Sequence, residues 1–157
     1  MRSEEAVREA IDRYADMVKR ICFIHLKNEA DTEDIFQTVF LKYAMSEVEF
    51  ASREHEKAWL IRVTINACKD LLKSFFRRHT VPLDAYVGEL GAAQDHSEVL
   101  EAVLALPEKY RRVVYLHYYE GYTAPEIAEI LGIKENTVYT QLTRGRALLR
   151  DVLGGEA

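Results

Sequence analysis

Cysteine is nearly missing from this chain of 157 residues. Cys22 and Cys68 stand alone, with no Cys-x-x-Cys and no Cys/His spacing of a zinc site, which excludes a disulfide framework and leaves two reduced packing thiols. Cys22 and His25 form an i, i+3 pair that could touch a metal, but no second pair accompanies it. The charged start, MRSEEAVREA, lacks the apolar centre of a signal peptide, and no apolar run approaches the ~18 residues of a membrane span. A cytosolic chain without stable membrane insertion is therefore expected. Also missing are a Gly-rich phosphate loop, a nucleophile elbow and any metal constellation, and His25, His55, His79, His96 and His117 have no triad spacing. No catalytic residue, metal ligand or cofactor is predicted, and the chain is not expected to be an enzyme. Strand signals, solenoid-period repeats and low-complexity tracts are absent too, which points to an all-α fold.

Charge is present in quantity but unevenly placed. The net charge is −5, yet between Arg53 and Arg78 the seven cations Arg53, Lys57, Arg62, Lys69, Lys73, Arg77 and Arg78 face only Glu54, Glu56 and Asp70. From Asp84 to Glu108 there is no lysine or arginine at all. Affinity for phosphate scales with the cations that reach it, so modest basic patches in an acidic chain predict weak DNA binding by the isolated protein and help from a partner.

Periodicity divides the chain into two helical halves. Val7, Ala10, Ile11, Tyr14, Val18, Ile21 and His25 form a stripe from about Glu4 to Leu26. A second helix, opened by Asp31 or Thr32, carries Ile35, Phe36, Val39, Phe40 and Tyr43 on its buried side, and a third runs from about Glu56 to Phe76. Phe75 and Phe76 are expected to close the bundle core. The stretch HTVPLDAYVGELGAAQDH reads as a linker. Beyond it, Ser97 should cap a helix to about Ala105, Pro107 should start another, and Gly121 should end that one. Tyr115, Tyr118, Tyr119 and Tyr122 are expected to pack in the core and at helix ends, with an inhibitor-binding surface as the sharper alternative.

The segment TAPEIAEILGIKENTVYTQLTRGRALLR carries the most specific signal. Thr123 and Glu126 form a capping box, Pro125 lies in the first turn, and Ile127, Ala128, Ile130 and Leu131 share a face. Gly132 marks a turn, after which Val138, Leu142, Ala147 and Leu149 share a second face. Ala128 at the helix contact, Gly132 in the turn and Val138 in the second helix match helix-turn-helix spacing. An ordinary core hairpin would share the apolar pattern but has no need for Lys134, Arg144, Arg146 and Arg150 around the second helix.

Three blocks, in order, resemble the extracytoplasmic-function (ECF) sigma factors of bacterial RNA polymerase. DTEDIFQTVFLKYA is similar to the family's region 2.2, AWLIRVTINACKDLLKSFFRR to regions 2.3 and 2.4, and LPEKYRRVVYLHYYEGYTAPEIAEILGIKENTVYTQLTRGRALL to region 4. The resemblance implies two small helical domains joined by a flexible linker: region 2 over 1–78, the linker over 79–96 and region 4 over 97–153. It implies a promoter-specificity subunit whose partners are core RNA polymerase, promoter DNA and an anti-sigma factor. Asp31, Asp34, Gln37 and Leu41 fall where the family docks on the clamp of the polymerase largest subunit. A solvated, dipole-favoured helix start accounts for Asp31 and Glu33 but poorly for Gln37.

Opening a promoter takes bases out of the stack, which calls for cations along the backbone, an aromatic platform and polar groups that read an unpaired base. Arg62, Asn66, Lys69 and Lys73 follow one another at i+4, i+3 and i+4, with Trp59 one turn earlier as either core anchor or DNA contact. By resemblance, Asn66 and Asp70 fall at the non-template strand of the minus-10 element, and FASREH (Phe50 to His55) occupies the loop that receives a flipped base. Lys134, Tyr139, Thr140, Thr143 and Arg144 are nominated for minus-35 base edges, with Arg146 and Arg150 on phosphates or structural. Lys134, Tyr139 and Gln141 depart from the family pattern, so no minus-35 sequence is carried over. Two rivals use the same features: a stand-alone helix-turn-helix regulator, and a helical adaptor that does not bind DNA.

Overall fold

The computed structural model describes residues 1–79 and 98–153. Among the described residues there are seven helices and no strand: α1 (Glu4–Leu26), α2 (Glu29–Met45), α3 (Arg53–His79), α4 (Glu98–Ala105), α5 (Glu108–Tyr118), α6 (Ala124–Leu131) and α7 (Glu135–Val152). The chain divides into two compact units, Met1–Ala92 and Ala93–Ala157. The expected linker and its neighbour Ser97 fall on 80–97, apart from His79, which ends α3, and so lie outside the described residues. The side chains of Phe75 and Phe76 lie outside them too.

In the first unit α1, α2 and α3 pack mutually as a three-helix bundle. Ala10, Tyr14, Met17, Val18, Ile21 and Cys22 of α1 meet Ile35, Val39, Phe40 and Tyr43 of α2 and Leu60, Ile61, Ile65 and Cys68 of α3, all buried. His25 continues the stripe: it is buried, and its Nδ1 donates to the Ile21 carbonyl at 3.0 Å. Val7 and Ile11 sit at the edge of that stripe, half-buried, as does Phe36 on α2.

The helix boundaries are set by caps, and two of them differ from expectation. α2 begins at Glu29, ahead of Asp31, because Asn28 is the N-cap and accepts from the Asp31 backbone N–H at 3.0 Å. Thr32 is inside the helix, buried, donating back to the Asn28 carbonyl at 2.7 Å. α3 likewise begins at Arg53 and not near Glu56, since Ser52 Oγ accepts from the His55 N–H at 3.1 Å. Lys27 closes α1 in the left-handed region, φ 58°.

In the second unit α5 packs on α6 and α7, and α6 on α7. The capping box is complete: Glu126 N–H donates to Thr123 Oγ1 at 3.3 Å, and Thr123 N–H to Glu126 Oε1 at 2.9 Å. Gly132 ends α6 in the left-handed region, φ 69°, and Ala128 and Val138 are buried as the helix-turn-helix spacing requires. α5 stops at Tyr118, before Gly121, whose φ of 79° carries the chain into α6. The core face of α7 is Val138, Leu142 and Gly145, with Leu149 half-buried, whereas Ala147 is exposed. Ala147 lies two residues off the helix face that Val138, Leu142, Gly145 and Leu149 share, and that face carries a glycine at 145 because a Cβ there would sit 2.8 Å from Val114 Cγ2 and 3.4 Å from Tyr110 Cβ. Of Tyr115, Tyr118, Tyr119 and Tyr122 only Tyr115 is buried in the core; Tyr118 and Tyr119, 53% and 49% exposed, stand at the end of α5, where Tyr119 stacks on Tyr115 at 5.6 Å.

Candidate nucleic-acid interface

On α2, Asp34 and Gln37 are exposed, and Leu41 follows at 64% exposure with Met45 one turn further at 60%. An apolar pair left in water beside two polar side chains is the composition of a protein-docking patch. Met45 was not anticipated, although its i, i+4 spacing from Leu41 was visible in the sequence. Asp31 is different from its nominated companions. It is half-buried and its Oδ2 accepts from Asn28 Nδ2 at 3.1 Å, so its carboxylate is built into the start of the helix.

α3 presents Arg62, Asn66, Asp70 and Lys73 exposed and Lys69 half-buried along one face. Trp59 heads that face and is itself half-buried, with the rings of Tyr43 and Phe50 against it at centroid distances of 6.1 and 5.6 Å. Phe50 also lies parallel to Tyr43, with an interplanar angle of 3°, and edge-on to His55 at 5.1 Å. The loop before α3 is held down further by the Ala51 N–H, which donates to His55 Nδ1 at 3.0 Å. Three aromatic rings therefore gather at the N-terminal end of the cationic face. Phe50 was nominated only as part of its loop, and Tyr43 only as core.

Beneath this cluster Glu56 ties the bundle together. Its Oε2 accepts from Tyr43 Oη at 2.6 Å and its Oε1 from Tyr14 Oη at 3.0 Å, with Arg13 Nη1 at 3.4 Å. Burial, then the hydrogen bond and charge of Glu56, pushes the Tyr43 phenol up to about 12 and raises Tyr14 for the same reasons. Both phenols stay protonated donors across the physiological range.

On α7, Lys134 is the exposed N-cap, and Tyr139, Thr140, Thr143, Arg144 and Arg146 are all exposed. Their neighbours differ from one flank of the helix to the other. Thr140 and Arg144 line a cleft of about 260 Å³ with Lys109 and Tyr110 of α5 and Asn136, Thr137 and Gln141 of α7. Tyr139, Thr143 and Arg146 occupy the opposite flank, where Arg146 Nη1 donates to Tyr118 Oη at 3.0 Å. Arg150 is exposed on that flank as well. Lys109 and Asn136 were missed; both come together only when α5 crosses α7. Arg111 is buried and donates through Nε to the Leu106 carbonyl at 3.1 Å, and burial lowers its pKa while Glu108 opposes that shift. Its role is to fix the start of α5.

Among the described residues no group of three or more His, Cys, Asp and Glu could hold a metal ion, and no helix is long and apolar enough to cross a membrane. What the geometry offers is a docking patch on α2, a cationic face with an aromatic head on α3, and a polar, basic helix in a helix-turn-helix.

Comparison with known proteins gives the same sequence of parts. Residues 10–79 match the Sigma-70 region 2 family and residues 96–149 the Sigma-70 region 4 family. Those two regions, in that order, define a sigma-70-type initiation factor. The ECF RNA polymerase sigma factor SigW of Bacillus subtilis is 28% identical, over 96% of this chain and 90% of its own length. The RNA polymerase sigma factor SigV of the same organism is 30% identical, over 83% and 81%. Among solved structures, the sigma factor RpoE bound to the anti-sigma factor NepR, from Bartonella quintana, matches with a TM-score of 0.79 at 18% identity, over 96% of this chain and 98% of that one. CnrH in complex with the cytosolic domain of CnrY matches at 0.66 and 20%, over 99% and 92%. These two likenesses establish the all-helical fold. The chain belongs to the ECF family of RNA polymerase sigma factors, and its function is promoter-specific initiation of transcription. A stand-alone helix-turn-helix regulator leaves the region 2 match unexplained.

Proposed function

We propose that the first unit docks on the clamp of the polymerase largest subunit through Asp34, Gln37 and Leu41, with Asp31 holding the start of that helix. In this reading Trp59, Arg62, Asn66, Lys69, Asp70 and Lys73 take the minus-10 element, the cations following the backbone while Asn66 and Asp70 face the unpaired strand. The second unit reads the minus-35 duplex with Lys134, Tyr139, Thr140, Thr143 and Arg144, while Arg146 sits toward phosphate. The units correspond to region 2 over 1–78 and region 4 over 97–153, joined by 79–96. The protein acts in the cytoplasm with core RNA polymerase, catalyses no reaction alone, and is held in check by an anti-sigma factor.

The observation that carries this reading is the α3 face: exposed Arg62, Asn66, Asp70 and Lys73 run on from a half-buried Trp59 that is flanked by Phe50 and Tyr43. Cations in line with an aromatic head suit a strand whose bases are leaving the stack. The test is co-elution of the purified protein with bacterial core RNA polymerase, against an Asp34→Arg, Gln37→Ala variant. Stoichiometric binding that the variant loses supports the assignment. Absence of binding by the wild-type protein overturns it.

A further inference from the structure

Arg2 precedes α1 and plays no part in the assignments above, yet it is anchored to the end of α2. Its backbone N–H donates to the Ala44 carbonyl at 2.8 Å and its Nε to the Tyr43 carbonyl at 3.0 Å. Its Nη2 donates to the Val48 carbonyl. The guanidinium carbon also lies 4.5 Å from the centroid of the Tyr43 ring and 5.0 Å from that of Phe50.

Each contact has a physical reason. The carbonyls of the last turn of α2 have no intrahelical partner, and a cation at a helix C-terminus is favoured by the dipole. Val48 lies beyond the helix, in the loop toward Phe50, so the guanidinium joins the end of α2 to that loop. A planar fork can reach two carbonyls while its face covers aromatic rings; an ammonium cannot do both. Phe50, thus held parallel to Tyr43, is the ring that packs on Trp59 and on His55.

We propose that Arg2 is a positioning residue for promoter opening: it clamps the loop between α2 and α3 onto Trp59, so that the pocket for a flipped base is formed before DNA arrives. The proposal rests on the reading that this loop and α3 receive the minus-10 strand. A loop ordered in advance spares the ordering cost at the moment of capture, and that cost limits the rate only where capture competes with re-pairing, so loss of the clamp slows opening of duplex DNA and leaves the rate on DNA that is already open unaffected.

The test uses full-length Arg2→Met, which keeps the apolar stem and loses the fork, and Arg2→Lys, assembled with core polymerase. The template is a promoter recovered by selection with the wild-type holoenzyme, either fully duplex or with a mismatched, pre-opened minus-10 segment. Trp59 is the single tryptophan of this chain, so in the free protein, before polymerase is added, its fluorescence reports the surroundings of that ring. In Arg2→Met, acrylamide quenching of Trp59 rises and opening of the duplex slows roughly tenfold, as for loss of a charge-assisted contact. Polymerase binding and the rate on the pre-opened template stay as in wild type, and Arg2→Lys recovers only part of the loss. Unchanged duplex opening, or equal loss on both templates, overturns the proposal. Asn66→Ala separates the two levels: if it too leaves duplex opening intact, the minus-10 reading falls and the role of Arg2 with it; if it slows opening while Arg2→Met does not, only the role of Arg2 falls.

Discussion

Tyr43 on α2 donates to Glu56 on α3 at 2.6 Å, directly beneath the ring cluster that heads the cationic face. The same carboxylate accepts from Tyr14 of α1, so one side chain fixes all three helices of the first unit. Replacing Glu56 by Leu strands the Tyr43 phenol and leaves Tyr14 with only its 3.3 Å bond to the Arg53 carbonyl. The expected loss is about 2–3 kcal/mol of stability in the first unit, against about 1 kcal/mol for Tyr43→Phe, which removes one donor and leaves Glu56 its other partners. Denaturation followed by Trp59 fluorescence reads this unit specifically.

The same pair sets an alkaline limit. Tyr43 titrates near about 12 in the fold, against ~10 for an unfolded tyrosine. The folded state therefore holds the proton more tightly, and this stabilisation is complete below pH ~10 and is lost as pH rises from there through about 12. A phenolate absorbance titration should show a late step that is missing from Tyr43→Phe. A Tyr43 that titrates with the exposed tyrosines contradicts the geometry.

Gly145→Ala tests the α5–α7 contact. Alanine in mid-helix gains about 1 kcal/mol of propensity over glycine. Here its Cβ meets Val114 Cγ2 at 2.8 Å, on a fully buried, β-branched side chain that cannot rotate away, and overpacking of this kind costs about 1–3 kcal/mol. The single variant should be destabilised, and pairing it with Val114→Ala should recover part of the loss through a positive coupling. A stabilised single variant would mean that the helices are further apart.

The capping box gives a third stability test. Thr123→Ala should cost about 1 kcal/mol in the second unit and weaken minus-35 binding by the same helix-turn-helix. The Thr123 backbone N–H, and after it the Thr123 hydroxyl, holds the Glu126 carboxyl below its ordinary pKa. The glutamate half of the box therefore contributes above the ordinary glutamate pKa of ~4.3 and loses its contribution as pH falls through the lower folded value. Thermal melts of wild type and Glu126→Gln should converge toward acid, whereas most of the Thr123→Ala difference persists, because that variant keeps the backbone N–H and loses an acceptor that does not titrate.

Asn66→Ala is expected to slow promoter opening by roughly tenfold with little change in polymerase binding, because it removes a polar group exposed on α3, a different helix from the α2 patch. The rates of open-complex formation and the holoenzyme dissociation constant, measured together, decide it. Equal loss of both would assign Asn66 to docking.

The sequence by itself determined the parts and their order. Apolar spacing marked the helices, Thr123, Pro125, Glu126 and Gly132 bounded the helix-turn-helix, and the cation-rich stretch from Arg53 lay where α3 presents its face, because all of these are local properties of a chain read along its length. The tertiary structure decided what depends on a neighbour. The core position on α7 is Gly145 and not Ala147: Val114 and Tyr110 come so close that there is no room for a Cβ, and a glycine carries no hydrophobic signal to announce that. Tyr118 and Tyr119 came out exposed at the end of α5, where Tyr118 Oη takes a bond from Arg146 of α7. Asp31 turned inward to Asn28, Lys109 joined Asn136 in one cleft, and Arg2 reached Val48, since contacts made across helices leave no trace in the spacing along any one of them.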